Sequence, residues 1–459
     1  MSLNETLTEQ KSVLLAALEQ DDAGTLDEAL PELRAADIGE ILEDIAEEEE
    51  GLVRFQALME RLPIERRANV LGYLPGELQL AWAAEIADDA LLLVLEEMSS
   101  DERADLFNLL DEDRREGLLR RMARQEREEL KRLASYEEGT AGAIMTSDYV
   151  AIPSGMTVSQ ALMRVRQTAP DAETVYQLYI VDTEGRLVGT LSLRQLMVAR
   201  PGARVDDLMI KDVIGVAVDE EQEEVARLVA RYDLLAIPVI DAEERLVGIV
   251  THDDAMDVAE SEATEDIHKG MSIGALEDGV SRVPLWSLYR KRVFWLVLLV
   301  FANLFSGAGI AYFEDTIAAQ VALVFFLPLL IGSGGNAGAQ AATLTVRGMA
   351  TGDVGVKDWG KLLGRELLVA GSLGLTMALA LAVAPIGVMR GGETVAMVVA
   401  FSMVVIVLFG SLLGMCLPFI LNRIGWDPAT ASAPLVTTLI DASGVLIYFS
   451  IATALLAGG

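Results

Sequence analysis

Polar and apolar positions divide the chain into three patterns. From the carboxyl-terminal side, five segments are free or nearly free of charge: Val293–Phe313, Thr316–Val346, Leu367–Met389, Thr394–Asn422 and Pro428–Gly459. Each exceeds the ~20 apolar residues that a spanning helix needs, so the pattern predicts five membrane helices. Residues 1–135 instead carry apolar side chains at helical spacing, as in LPIERRANVLGYLP and MSSDERADLFNLLDEDRREGLLRRM. These stretches begin at turn or capping residues and run for two to four turns, which predicts a stack of short antiparallel helices. Between the two lies an internal repeat. YIVDTEGRLVGTLSLRQLM (Tyr179–Met197) returns 59 residues later as PVIDAEERLVGIVTHDDAM (Pro238–Met256). Each copy reads as strand, tight turn (Thr183–Gly185 or Ala242–Glu244), strand, helix. The expected divisions are 1–135, 136–203, 204–260, 261–282 (a connecting helix) and 283–459.

Charge sharpens this division. The 459 residues carry a net charge of -34, from 36 basic and 70 acidic residues. Residues 1–282 hold 62 of the acids and 27 of the bases, whereas the part from Val283 holds 8 and 9. Five apolar runs exclude an ordinary soluble enzyme. The acidic half would repel phosphate, which excludes a nucleic-acid partner. Cys416 is the single cysteine, so no disulfide forms within the chain. The start MSLNETLTEQ has neither a basic n-region nor an apolar h-region, which predicts that the acidic half stays in the cytoplasm. Loop charges agree. Arg290, Lys291, Arg292, Arg347, Lys357, Lys361, Arg365 and Arg423 fall inside, Arg390 falls outside, and the carboxyl terminus is then extracytoplasmic. Five helices make a small bundle for a polar pathway, which favours a dimer.

Two spans differ from plain lipid-facing helices. The second holds Pro328 and then GSGGNAGAQAATLT (Gly332–Thr345), whose four glycines with Asn336, Gln340 and Thr343 suit either close packing or a broken, water-lined backbone. The fifth contains Pro434, for which a kink is expected. Asp441 is the one acid inside any of the five segments, and no base lies inside them. A carboxylate there costs several kcal/mol unless it is hydrated, paired or protonated, so it marks an ion pathway or a structurally bonded acid. Asp427 lies fourteen residues earlier. On an uninterrupted helix it would fall near the same face; as Asp before Pro, it also suits a simple helix start. Between the repeat and the first span, Asp253, Asp254, Asp257, Glu260, Glu262, Glu265 and Asp266 precede the next base, Lys269. They form either a solvated helix or a divalent-cation site that relieves their repulsion. His268 alone does not support a zinc site.

The repeat resembles a CBS pair, a regulatory module that often binds adenine nucleotides. The whole order resembles the MgtE family of magnesium channels. The pieces that carry the likeness are ATEDIHK (Ala263–Lys269), GSGGNAGAQAATL and DPATASAPLVTTLIDASGVLIYFS from Asp427. The resemblance implies a multidomain fold: an all-α acidic amino-terminal domain, an α/β tandem CBS pair, a connecting helix and a five-helix transmembrane domain. It implies a homodimer in the inner membrane with a pore at the dimer interface. In that pore Asp441 faces hydrated Mg²⁺, Asp427 stands at the cytoplasmic side, and Asn336 and Gly444 are pore-adjacent. It further implies cytoplasmic Mg²⁺ sensing by Asp101 and Asp105, by Glu221, Glu223, Ala230 (through its carbonyl), Asp233, Asp254 and Asp257, and by Glu262, Glu265 and Asp266. Mg²⁺ is then both substrate and regulator, with ATP a candidate ligand of the CBS pair. Two positions depart from the pattern: Asn69 stands where an acid is expected, and Ala433 lacks a polar side chain. The expected activity is a Mg²⁺ channel closed by cytoplasmic Mg²⁺, not an enzyme. The alternative is a cation-coupled secondary transporter that uses Asp441 as its coupling site. A CBS-regulated anion channel would need a base within the spans, and a mere membrane anchor would not need Asp441.

Overall fold

The computed structural model describes residues 3–457 except 21, 49, 272–284 and 384–385. It forms two compact units, Met1–Ala259 and Glu260–Gly459.

The first unit begins with short helices, ten among the described residues, from Leu3–Glu19 to Arg124–Leu133. Short side chains start several of them: Asp22 and Asp111 accept hydrogen bonds from the backbone N–H groups of Thr25 and Arg114. Arginines then stitch the stack together. Arg67 donates to the carbonyls of Met59, Glu60 and Leu62 (2.9, 2.9 and 3.0 Å), Arg103 to Met98 (2.8 Å) and Arg127 to Met122 (3.0 Å). Each satisfies carbonyls that a helix end leaves orphaned, and each places a cation at the negative end of a helix dipole. The apolar faces close over Phe55, Leu58, Met59 and Trp82, and the same core runs on into the repeat through Ile237, Val239 and Val250.

The repeat folds as read. β1 (Ala151–Pro153), β2 (Gln177–Val181) and β3 (Leu187–Ser192) form one sheet; β4 (Val216–Ala217), β5 (Ala236–Ile240) and β6 (Leu246–Thr251) form another. In both, the first pair is parallel and the second antiparallel. Ile180 pairs with Gly189 and Val239 with Gly248, so the copies share their register. The glycines are needed because a Cβ on either would lie 2.5 Å from a methionine sulfur, that of Met209 or Met145. The matched aspartates make the turns. Asp182 accepts from the N–H groups of Glu184 and Arg186 (2.8 and 2.9 Å), and Asp241 from those of Glu243 and Arg245 (3.0 and 2.8 Å).

Four further elements carry site residues: α1 (Ser100–Leu109) among the short helices, α2 (Gln222–Tyr232) between β4 and β5, and α3 (His252–Gly270), which leaves β6 and runs unbroken past the expected division at residue 260. The rest of the expected connecting segment, 272–282, lies outside the described residues. The fourth is the bundle of the second unit: α4 (Leu285–Tyr312), α5 (Leu327–Ala350), α6 (Trp359–Val383), α7 (Ile386–Arg423) and α8 (Ala433–Ala457). All five are long and apolar enough to cross a membrane. α5 and the apolar stretch of α7 are half buried within the bundle while α4 is only 11% buried, so α4 lies at its outside.

Three expectations about this bundle need correction. The second span is not one helix from Thr316: a short helix, Glu314–Ala319, and a 3₁₀ turn, Val321–Phe326, precede α5. Its glycine run is not broken but continuous α-helix, in which Gly334, Gly335 and Gly338 are buried in packing while Gly332 is exposed. A Cβ on Gly338 would lie 2.7 Å from the Gly410 carbonyl oxygen and 2.5 Å from Ile440 Cδ1, so α5 rests backbone to backbone on α7. Pro434 does not kink α8. It sits in the first turn, where its missing N–H has no intrahelical partner to lose.

Candidate cation pathway and cation-sensing sites

Asp441 lies two turns into α8, partly exposed, and lines a groove of about 470 Å³ with Val445 of α8, Pro328 and Gly332 of α5, and Asn303 and Ser306 of α4. No described residue gives its carboxylate a hydrogen bond or ion pair. Ser306 Oγ is buried without a partner. Asn303 and Ser306, three apart on one face of α4, escaped the reading of the sequence; their signal is that spacing within an otherwise apolar run. Gly332, Asn336 and Gln340 form an exposed polar stripe at four-residue intervals along α5. Asn336 thus lies one turn beyond the groove. Gly444 is buried on α8, and a Cβ there would meet Ile331 Cγ1 of α5 at 3.5 Å, an ordinary contact distance.

Asp427 is not on the same helix as Asp441. It caps a separate 3₁₀ turn, Pro428–Thr430, accepting from Ala429 N–H at 2.8 Å. Its second oxygen receives Lys269 Nζ at 2.7 Å, and that ammonium also reaches Glu265 at 2.9 Å. Burial opposes the Lys269 charge, but these two carboxylates outweigh it and hold the lysine above its ordinary range. Neighbouring Asp266 is pushed up by burial and then by the charge of Asp427, with Lys269 opposing. Glu262 stands one turn earlier on α3. A further acid, Glu366 of α6, accepts a hydrogen bond from Ser411 of α7; it sits one residue before the charge-free run and so was passed over.

In the first unit, α1 and the start of α3 bring acids together. Ser100 fixes α1: its Oγ meets Thr146 Oγ1 at 2.9 Å and its N–H donates to Asp148 at 3.1 Å. Thr146 in turn bridges to Ile249 of β6. Beyond β6, the Thr251 hydroxyl bonds to Asp253 (2.5 Å) and Asp254. Asp101 and Asp105, one turn apart on α1, therefore face Asp254. Burial, followed by the charge of Asp101 and that of Asp254, pushes Asp105 and Glu173 to about 7. Glu102 also rises to about 7, through burial and Asp101. Asp254 rises to about 6, mainly through burial. Asp101 is itself raised by burial, and its Oδ1 is buried without a partner. A cavity of about 490 Å³ adjoins Asp105 and Glu138, ample for an ion with its water shell at roughly 30 Å³ per water. Glu102 and Glu173 were missed because one follows Asp101 in a surface-like helix and the other lies in a loop 72 residues away.

The remaining acids do not converge. Glu221 and Glu223 stand at the start of α2, while Ala230 and Asp233 stand at its end, Asp233 in a left-handed conformation (φ 51°). At ~1.5 Å per residue the two pairs are roughly 15 Å apart. Asp257 lies one turn beyond Asp254 on α3. Asn69 lies on the helix Ile64–Gly72, and Ala433 opens α8. Among the described residues, no three carboxylate, imidazole or thiol groups converge tightly enough to hold a bare metal ion. Such an arrangement suits a cation that keeps its own water.

Five long apolar helices, an unpaired acid facing a mainly apolar groove that also holds Asn303 and Ser306, and a soluble helical and CBS-type unit define a membrane transport protein rather than an enzyme. Comparison with known proteins agrees. The family profile described as divalent cation transporter (MgtE) matches residues 327–451, that of the MgtE intracellular N domain matches 33–139, and CBS profiles match 141–202 and 205–261. The magnesium transporter MgtE of Thermus thermophilus is 41% identical over 96% of this chain and 98% of its own length. That of Bacillus subtilis is 36% identical over 86% of each. Among solved structures, the cytosolic domain of the Mg²⁺ channel MgtE in complex with ATP matches with a TM-score of 0.51 at 40% identity, over 54% of this chain and 99% of that one. The chain belongs to the MgtE family.

Proposed function

We propose that this protein carries Mg²⁺ across the inner membrane and that Asp441 is the acid of its pathway. The placement of Asp441 carries the reading: a carboxylate on a membrane helix, without a protein partner among the described residues, beside the polar groups of Asn303 and Ser306. A hydrated divalent cation satisfies that carboxylate without a full protein cage. Two copies of the chain, related by a two-fold axis, would present two such acids to one ion. Asp427 then lies at the cytoplasmic mouth, with Asn336 and Gly444 along the wall and the carboxyl terminus outside.

Cytoplasmic Mg²⁺ closes this pathway. The acids around Asp101, Asp105 and Asp254 repel one another when Mg²⁺ is low and are bridged when it is high; α3 transmits the change through Glu262, Glu265 and Asp266. Glu221, Glu223, Ala230, Asp233 and Asp257 contribute further sites, the two ends of α2 holding separate ions. The solved relative with ATP makes the CBS pair a candidate nucleotide site here. The decisive measurement is Mg²⁺ uptake into proteoliposomes. Asp441→Asn is expected to lower it by more than about tenfold, since the amide removes the charge that offsets dehydration of the ion. Equal uptake by the variant would remove Asp441 from the pathway. Current under voltage clamp without a counter-ion gradient separates a channel from coupled transport.

A further inference from the structure

Lys269 occupies the place between acids from two elements. Glu265 is on its own helix, α3, one turn away, and Asp427 caps the 3₁₀ turn before α8. The three groups are only partly exposed, at 31–39%, so water screens them incompletely. Asp266 adds a third negative charge, since it feels Asp427, Glu262 and Glu265. We infer that Lys269 is a specificity-determining residue: a tethered cation that holds the Glu265–Asp427 site against monovalent ions and yields it to a divalent one. The inference rests on the proposal that these acids bind Mg²⁺.

The physical basis is competition. A side chain anchored one turn from its partner acts at a high effective concentration. A free K⁺ brings the same single charge as the ammonium and cannot offset that advantage. A divalent ion doubles the Coulomb attraction to the same carboxylates. The lysine then swings out into water on its flexible stem. Mg²⁺ binding at this point therefore requires the loss of two ion pairs, and the lysine raises the Mg²⁺ concentration at which the site fills.

The test uses the full-length protein in lipid nanodiscs and follows hydrogen exchange of peptides covering residues 260–270 through a Mg²⁺ titration. Lys269→Gln is expected to lower the midpoint about fivefold, roughly the combined worth of the two partly exposed ion pairs it removes. Lys269→Arg, which keeps the charge, should hold the midpoint near wild type. Replacing choline by K⁺ at equal ionic strength should raise the midpoint of Lys269→Gln but not of wild type. An unchanged or raised midpoint in Lys269→Gln, or an equal K⁺ response in both proteins, would overturn the assignment. Absence of any Mg²⁺ response in wild type would instead overturn the proposal on which it rests.

Discussion

Asp101 acts, after burial, on each of the raised acids around it. Its charge contributes to the raised values of Glu102, Asp105, Glu173 and Asp254. A carboxyl whose value is raised by folding binds its proton more tightly in the folded state. It therefore costs no stability below the ordinary carboxylate range near 4, and costs increasingly as pH rises to about 7. In EDTA, the unfolding temperature of the first unit, followed by calorimetry of the whole protein, should fall between pH 5 and pH 8, and Mg²⁺ should flatten that fall. Asp101→Asn should raise the EDTA value at pH 8 by a few degrees, since ~1 kcal/mol moves a domain of this size about 2–4 °C, and should weaken the effect of Mg²⁺. A variant less stable than wild type at pH 8 would show that Asp101 supports the fold rather than straining it. At this scale the sequence was partly legible. Asp441 stood out because one acid in an apolar span has no innocuous place. Glu173 did not, because its role comes from the approach of a loop to α1, which no local pattern records.

Elements were read more completely. The 59-residue repeat foretold strand, turn, strand and helix in each copy, and Asp182 and Asp241 make the same turn from their own side chains. Helix ends in the bundle were read less well. Pro328 and Pro434 were assigned to helix interiors because hydropathy does not mark where a helix begins; both lie in first turns. The joined helix α3 ties the Asp254 region to the Lys269 region without a break, a continuity that a charge run alone does not reveal. Ala263→Pro interrupts it at ~3 kcal/mol of helix stability. Mg²⁺ uptake by this variant should lose its sensitivity to internal Mg²⁺, while the Mg²⁺ effect on the pH dependence of unfolding persists. Retained inhibition would mean that the signal travels by another route. In the bundle, Gly338→Val drives a branched side chain against the Gly410 carbonyl. It should destabilise the protein by about 1–3 kcal/mol, read as earlier thermal unfolding in detergent.

The whole molecule combines a highly charged unit with a nearly neutral one, and the contrast is chemical as much as topological. In the first unit, acids are gathered under a repulsion that, in the proposed sensing, a divalent cation would relieve. In the second, polar groups are few, and each is placed by a helix: Asp441 by α8, Asn303 and Ser306 by α4, Asn336 by α5. Packing decides which of these helices are able to move. Glycines 334, 338 and 410 bring the main chains of α5 and α7 into direct contact, with Ile440 of α8 packed against the same glycines. So close a joint leaves little room for one main chain to slide past the other, and α5 and α7 are expected to move together. If the pathway gates as proposed, the expected moving parts are α4, the least buried of the five helices, and the short segment around Asp427. Under that proposal the wall of the pathway would act as a stator against which the gate turns.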